Sequence, residues 1–283
     1  MAAAMRLRAA LIALAIACGS TQASVAAPNV APAQDPAGAE NLRLTWRLVQ
    51  TPNGTILLAE ARPAGSGPFP AVVLLHGTHG FAREYVQLAK ELSKAGVVAI
   101  AACWFAPGQG EGTRFITPLK CPSDAPPISA HQSKQAMESI DSVMGAVRSL
   151  PEVDGERVAL FGHSRGAGVV WNYVLRGGKV RAAILNSSGY PDELIQSAGK
   201  FGAPALLLHG EKDGPADAGS PMTDVRRARS FERALKMAGK TAEVAFYPAG
   251  GHNSLFANRA QHEDEVRRMT GFLQRHLGSA VRR

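Results

Sequence analysis

Apolar and polar residues alternate where the folded part of the chain begins. Leu42, Leu44, Trp46 and Leu48 are separated by Arg43, Thr45 and Arg47, the period of two of a half-buried strand. Pro52-Asn53-Gly54 reads as a turn, and 55–61 as the returning arm of a hairpin. The pattern then changes. Ala71-Val72-Val73-Leu74-Leu75 is an unbroken apolar run, expected of a strand covered on both faces. A helix follows with Tyr85, Leu88, Leu92 and Ala95 on one face, then a strand over 97–102. Ile140, Met144 and Val147 line a second helix that stops at Pro151. Beyond it the pattern predicts strands over 157–161, 182–185, 205–208 and 242–247. Helices are predicted over 166–175, 224–238 and 263–276. Strand and helix alternate along most of the length, so the expected fold class is α/β: a mainly parallel central sheet with helices on both faces and an antiparallel N-terminal hairpin at one edge. Neither an internal repeat nor a second domain is visible, and one domain over 41–283 is expected.

The N-terminus has a different character. Arg6 and Arg8 precede an apolar run over 9–17, and Val25-Ala26-Ala27 offers a cleavage site, the layout of a signal peptide over 1–27. The run is too short to span a bilayer, so no transmembrane segment is expected once the leader is removed. A periplasmic or secreted protein follows. The alternative is a lipoprotein anchored through Cys18, since Ala15-Ile16-Ala17-Cys18 loosely fits a lipidation site. Residues 28–40 are rich in Ala and Pro and read as a flexible linker. Leader removal leaves Cys103 and Cys121 as a pair, and in an oxidising compartment that pair reads as a disulfide. Its loop closure would contribute about 3 kcal/mol. The competing reading is a free, buried Cys103.

Composition adds little that changes this picture. The 283 residues are 46% hydrophobic and 19% charged, ordinary for a globular protein. The net charge of +8 is spread along the chain. No basic helix with interleaved aromatics appears, so a nucleic-acid partner is not expected. Neither His-Glu-x-x-His nor clustered Cys spacing occurs, and no metal or cofactor is expected. Gly108-Gln109-Gly110-Glu111-Gly112 does not lie between a strand and a helix, so it belongs to the long loop 104–127 rather than to a nucleotide site.

The candidate chemistry centres on Gly162-His163-Ser164-Arg165-Gly166, a G-x-S-x-G pattern between a predicted strand and a predicted helix. Such a turn presents a serine hydroxyl at the carboxyl end of a sheet. A serine needs a base, and the base needs an orienting acid. Asp213 follows the strand over 205–208, and His252 follows the strand over 242–247 in a Gly-rich loop. The order Ser, acid, His along the chain matches the G-x-S-x-G hydrolases. Glu211 and Asp217 are the competing acids. An oxyanion hole requires two backbone N–H donors. Arg165 is expected to supply one and Thr78, in His76-Gly77-Thr78-His79-Gly80, the other, with His79 as the alternative. His76 is expected to brace that loop, and His163 and His209 to pack locally. The loops 104–127 and 187–200 are expected to shape the pocket.

The His76-Gly77 loop, the Ser164 elbow, Gly210-Glu211-Lys212-Asp213 and Gly251-His252 together resemble the dienelactone hydrolase-like branch of the α/β hydrolases over about 46–277. The resemblance implies the α/β-hydrolase fold, no dissociable cofactor, and esterase or lactonase activity on a small-molecule substrate. One difference is plain: the family carries Cys as nucleophile where this chain has Ser164. The expected function is therefore an exported serine hydrolase of carboxylic esters or lactones, with Ser164, His252 and Asp213 as triad. Peptidase or amidase action on the same triad, or a non-catalytic binding protein on a hydrolase scaffold, are the alternatives.

Overall fold

The computed structural model describes residues 30–37, 39, 44–106 and 115–278. The expected leader, Cys18 and the Gly108–Gly112 run lie outside these residues. Among the described residues the strands form one sheet. They are β1 (Val30–Pro32), β2 (Thr45–Thr51), β3 (Gly54–Ala61), β4 (Phe69–Leu75), β5 (Val98–Cys103), β6 (Val153–His163), β7 (Ala182–Asn186), β8 (Ala205–Gly210) and β9 (Ala242–Tyr247). Their spatial order is β1-β2-β3-β5-β4-β6-β7-β8-β9. From β5 to β9 every pairing is parallel, whereas β1, β2 and β3 join antiparallel at one edge. This is the fold class that the strand–helix alternation predicts, with the hairpin of β2 and β3 closing at Thr51 and Gly54.

The longer helices are α1 (Arg83–Ser93), α2 (Lys134–Ser149), α3 (Arg165–Leu175), α5 (Val225–Met237) and α7 (Arg259–Leu277). Two short ones, α4 (Asp192–Gln196) and α6 (Ser254–Ala257), sit in the loops. Strand β4 explains why its apolar run has no period. Ala71, Val73 and Leu75 pack into one core with residues of α2, α3 and α5. Val72 and Leu74 pack into the other, with α1 and α7. Alternate side chains meet different helix layers, and neither face meets water.

Two expectations change here. Residues 28–40 read as a linker, yet Val30–Pro32 pair antiparallel with Arg47–Val49, and Ala39 is buried. An Ala- and Pro-containing stretch gives no hydrophobic period. What orders it is the exposed edge of β2, whose backbone groups can pair with any extended segment; Pro32, lacking an N–H, is tolerated at such an edge. The second concerns the loop 104–127, expected to shape the pocket: its described parts are tied to β3 and to Phe81. Thr55 Oγ1 donates to Asp124 Oδ2 at 2.6 Å, and Leu119 N–H donates to Phe81 O at 3.0 Å. Cys103 and Cys121 form the disulfide, with Cα atoms 6.1 Å apart.

Candidate active site

Strand β6 ends at His163 and α3 begins at Arg165, leaving Ser164 to make the whole turn. Its φ of 53° and ψ of −115° lie where few non-glycine residues are found, a strain that the surrounding contacts must hold. Ser164 N–H donates to Asn186 O at 2.9 Å, and Ser164 O accepts from Gly168 N–H at 3.1 Å. A turn this tight leaves no room beside it. A methyl group on Gly162 would overlap the backbone of Gly166 and Ala167, and one on Gly166 would overlap the Leu75 carbonyl. Gly166→Val is therefore expected to push α3 off β4 and cost more than about 3 kcal/mol. A thermal melt and soluble yield measure this; a wild-type melting temperature would show that the elbow has slack. The hydroxyl of Ser164 stands at the N-terminus of α3, where the helix dipole favours developing negative charge.

The sheet brings the other two residues to the same edge. Asp213 follows β8, His252 follows β9, and both are buried. His252 Nε2 lies 2.9 Å from Ser164 Oγ, and His252 Nδ1 lies 2.9 and 3.0 Å from the two Asp213 oxygens. With a proton on Nδ1 donated to Asp213, Nε2 is free to accept from the serine hydroxyl. The competing acids have other partners. Glu211 pairs with Arg229 at the surface. Asp217 accepts the backbone N–H of His252 at 2.6 Å. A side chain at Gly251 would overlap the Asp217 carboxylate, so glycine there lets Asp217 hold the histidine loop. Of the three acids, only Asp213 reaches the imidazole.

Thr78 and Arg165 stand beside Ser164 on the wall of one cavity. Their backbone N–H groups have no acceptor among the described residues, as donors kept for a ligand oxygen must. The loop bearing Thr78 is braced from α1. Tyr85 Oη accepts from Gly77 N–H at 2.9 Å and lies 2.8 Å from His79 Nε2. His79 is thereby held in a stack on Tyr85, with ring centroids 5.6 Å apart. His76 braces as expected. It is buried, its Nδ1 lies 2.9 Å from Gly77 O, and desolvation pulls its pKa down to about 4. The Arg165 guanidinium adds a tie that the sequence did not announce, donating to Ser129 O at 2.6 Å and to Thr78 Oγ1 at 3.3 Å.

A buried polar chain runs beneath the elbow. His163 Nδ1 lies 2.6 Å from Asn186 Oδ1, and Asn186 Nδ2 donates to Glu265 Oε2 at 2.6 Å. Gln261 Nε2 donates to Glu265 Oε1 at 2.7 Å. His163 Nε2 meets the side-chain amide of Asn253, next to His252, at 3.2 Å. Burial holds the His163 pKa near 4, so the ring is neutral at pH 7. Burial also pushes the Glu265 carboxyl up, to about 8. The unfolded chain ionises this group near 4.5. Across that window the fold binds the extra proton, and its stability falls as pH rises. Glu265→Gln cannot ionise. Its melting temperature is expected to gain several degrees on the wild type between about pH 5 and about pH 9. A constant difference across that range would show that Glu265 does not titrate there. Glu265 sits in a polar-looking helix, and its burial has no sequence signature.

The cavity in front of Ser164 holds about 750 Å³, within the range of small-molecule sites. As expected, part of 187–200 lines it, through Gly189, Pro191, Glu193, Leu194 and Ser197. The loop 104–127 does not line it among the described residues. Its place is taken by His131 and Gln132, ahead of α2, and by residues 218–223. The disulfide and the contacts to β3 and Phe81 hold the described parts of 104–127 elsewhere. His209 stays out of the cavity, buried with Nε2 2.6 Å from Thr223 O.

A parallel sheet with an antiparallel edge, carrying a serine elbow and a histidine–aspartate pair at the carboxyl ends of its strands, defines the α/β-hydrolase fold. The profile of the dienelactone hydrolase family matches residues 57–277. The chain belongs to that family, and it is a hydrolase acting on esters or lactones. Among curated relatives it is similar to a protein of Methylorubrum extorquens named carboxymethylenebutenolidase, 26% identical over 208 residues that cover 71% of this chain and 68% of the relative. Among solved structures, it resembles one from Klebsiella pneumoniae named for a dienelactone hydrolase, with a TM-score of 0.61, 20% identity, and coverage of 87% of this chain and 98% of the other. It also resembles the Pyrococcus furiosus esterase Pf2001, with a TM-score of 0.59, 15% identity, and coverage of 89% and 94%. At these identities the structural likeness carries the fold alone.

Proposed function

We propose that this chain is an exported serine hydrolase that cleaves carboxylic esters or lactones through an acyl-enzyme on Ser164. The observation that carries the reading is the hydrogen-bonded line from Ser164 Oγ through His252 to Asp213, opening on one cavity. His252 Nε2 takes the hydroxyl proton as Ser164 Oγ attacks the carbonyl carbon. The N–H groups of Thr78 and Arg165 stabilise the oxyanion. The protonated His252 gives its proton to the departing alkoxide, which stays attached to the acyl group if the substrate is a lactone. Water then enters, His252 accepts its proton, and collapse of the second tetrahedral intermediate returns the acid and Ser164. Asp213 holds Nδ1–H throughout and stabilises the imidazolium.

A fluorophosphonate probe tests this directly. Peptide mapping by mass spectrometry should find one adduct, on the peptide containing Ser164. An unlabelled Ser164 in folded protein that still hydrolyses p-nitrophenyl acetate would remove the reading. The disulfide supports export, because such bridges persist in oxidising compartments. Intact mass of protein made with its leader should show a chain starting near Pro28; a diacylglycerol adduct on Cys18 would replace the soluble product with an anchored one.

A further inference from the structure

The cavity borders one face of α3 over most of that helix's length. Its α3 wall is made by Ser164, Gly168, Trp171, Asn172 and Leu175, offsets of four, seven, eight and eleven that share one helix face. At 1.5 Å per residue, Leu175 stands about 16 Å along the helix from the nucleophile. The lining also includes Leu194 of α4, itself buried, and Met222 of the turn Pro221–Thr223. The two ends differ in chemistry. Near the nucleophile stand Thr78, Arg165 and His252; beyond them Trp171 and Leu175 line the cavity together with Asn172, and Leu194 and Met222 line it together with Glu193, Ser197 and Ser220. Trp171 is held edge-on by the His131 ring, centroids 5.5 Å apart. Gly168 keeps the wall low where His131 crosses it, since a Cβ there would lie 2.9 Å from that ring. Met222 is 39% exposed, one of three large apolar residues that are exposed among those described.

The geometry points to esters with one extended apolar arm, an alkyl or arylalkyl chain laid along α3 from Ser164 toward Leu175, as the preferred substrates. A compact lactone would fill only the end at the nucleophile. This inference rests on the Ser164 reading above and adds the shape of the substrate to it. Each methylene that enters the groove leaves water, and kcat/KM should rise about two- to fourfold per methylene until the groove is full.

The test is a pair of homologous series. p-Nitrophenyl acetate, butyrate, hexanoate, octanoate and decanoate vary the acyl arm, and ethyl to octyl acetates vary the alcohol arm. A climb in one of the series is expected, reported as the octyl-to-acetyl or octyl-to-ethyl ratio of kcat/KM. Leu175→Trp blocks the far end, and Met222→Glu puts a charge on the solvent-facing border. Both should collapse that ratio at least tenfold. Equal kcat/KM throughout both series, with p-nitrophenyl acetate still turned over, overturns the groove and leaves the Ser164 reading standing. So does a ratio unmoved by both variants. Wild-type protein that turns over no ester in either series and takes no fluorophosphonate overturns both.

Discussion

Ser164→Ala is expected to lower kcat for p-nitrophenyl acetate by about 10⁴- to 10⁶-fold while leaving the melting temperature within a few degrees of the wild type. The size follows from the geometry. Among the described residues Ser164 Oγ is the hydroxyl that meets His252 Nε2, at 2.9 Å, and in such a triad the members act as a unit, so removal of the nucleophile forfeits nearly all of the covalent route. What remains is the pull of the two N–H donors on a carbonyl attacked by water. The fold should be indifferent, because the strained φ of 53° is held by backbone bonds to Asn186 and Gly168 rather than by the hydroxyl. The measurement is a pair: steady-state kinetics for the rate, circular dichroism for the fold. Wild-type turnover in the folded variant would place the chemistry on another group and remove the proposed mechanism.

The second large effect separates two acids that sequence alone left in competition. Asp213→Asn keeps the shape but turns a carboxylate into an amide opposite His252 Nδ1. The amide can offer N–H to that nitrogen and favour the wrong tautomer, so kcat is expected to fall about 10³- to 10⁴-fold. Asp217→Asn disturbs only the bond from His252 N–H. It shifts the loop that carries the base, and a loss of about 10- to 100-fold is expected. The rank order of the two variants decides the assignment. A larger loss at Asp217 would make it the orienting acid and Asp213 the support.

The sequence carried the elbow well because its requirements are local. Small residues at 162 and 166, a buried strand before and a helix after all lie within a few residues of Ser164. His252 was legible for the same reason, in a Gly-rich loop just past a strand. Choosing among Glu211, Asp213 and Asp217 needed more. All three sit past the same strand, and which one meets an imidazole 39 residues later in the chain depends on how two loops pack. Gly210 and Gly251 permit that approach, but nothing local says which carboxylate uses it. Tyr85, Asn186 and Glu265 escaped notice for a related reason. Each reads as an ordinary member of its own helix or strand and acquires its role only from a partner brought by the sheet order.

The pocket was the least legible part. The loop 104–127, long and rich in Pro and Gly, invited the role of pocket wall, yet its described residues are held against β3 and the loop after β4, and the wall comes from 218–223 and from His131 and Gln132. The edge strand β1 was equally hidden. By itself, then, the sequence determined the α/β class, the parallel core, the serine elbow and its histidine, because hydrophobic period and turn sterics act over a few residues. The tertiary structure supplied which carboxylate meets His252, the bracing of the loop that carries Thr78, the buried carboxyl beneath the elbow and the run of the cavity along α3. Those depend on distances between segments far apart in the chain, set by strand order and packing rather than by any local pattern.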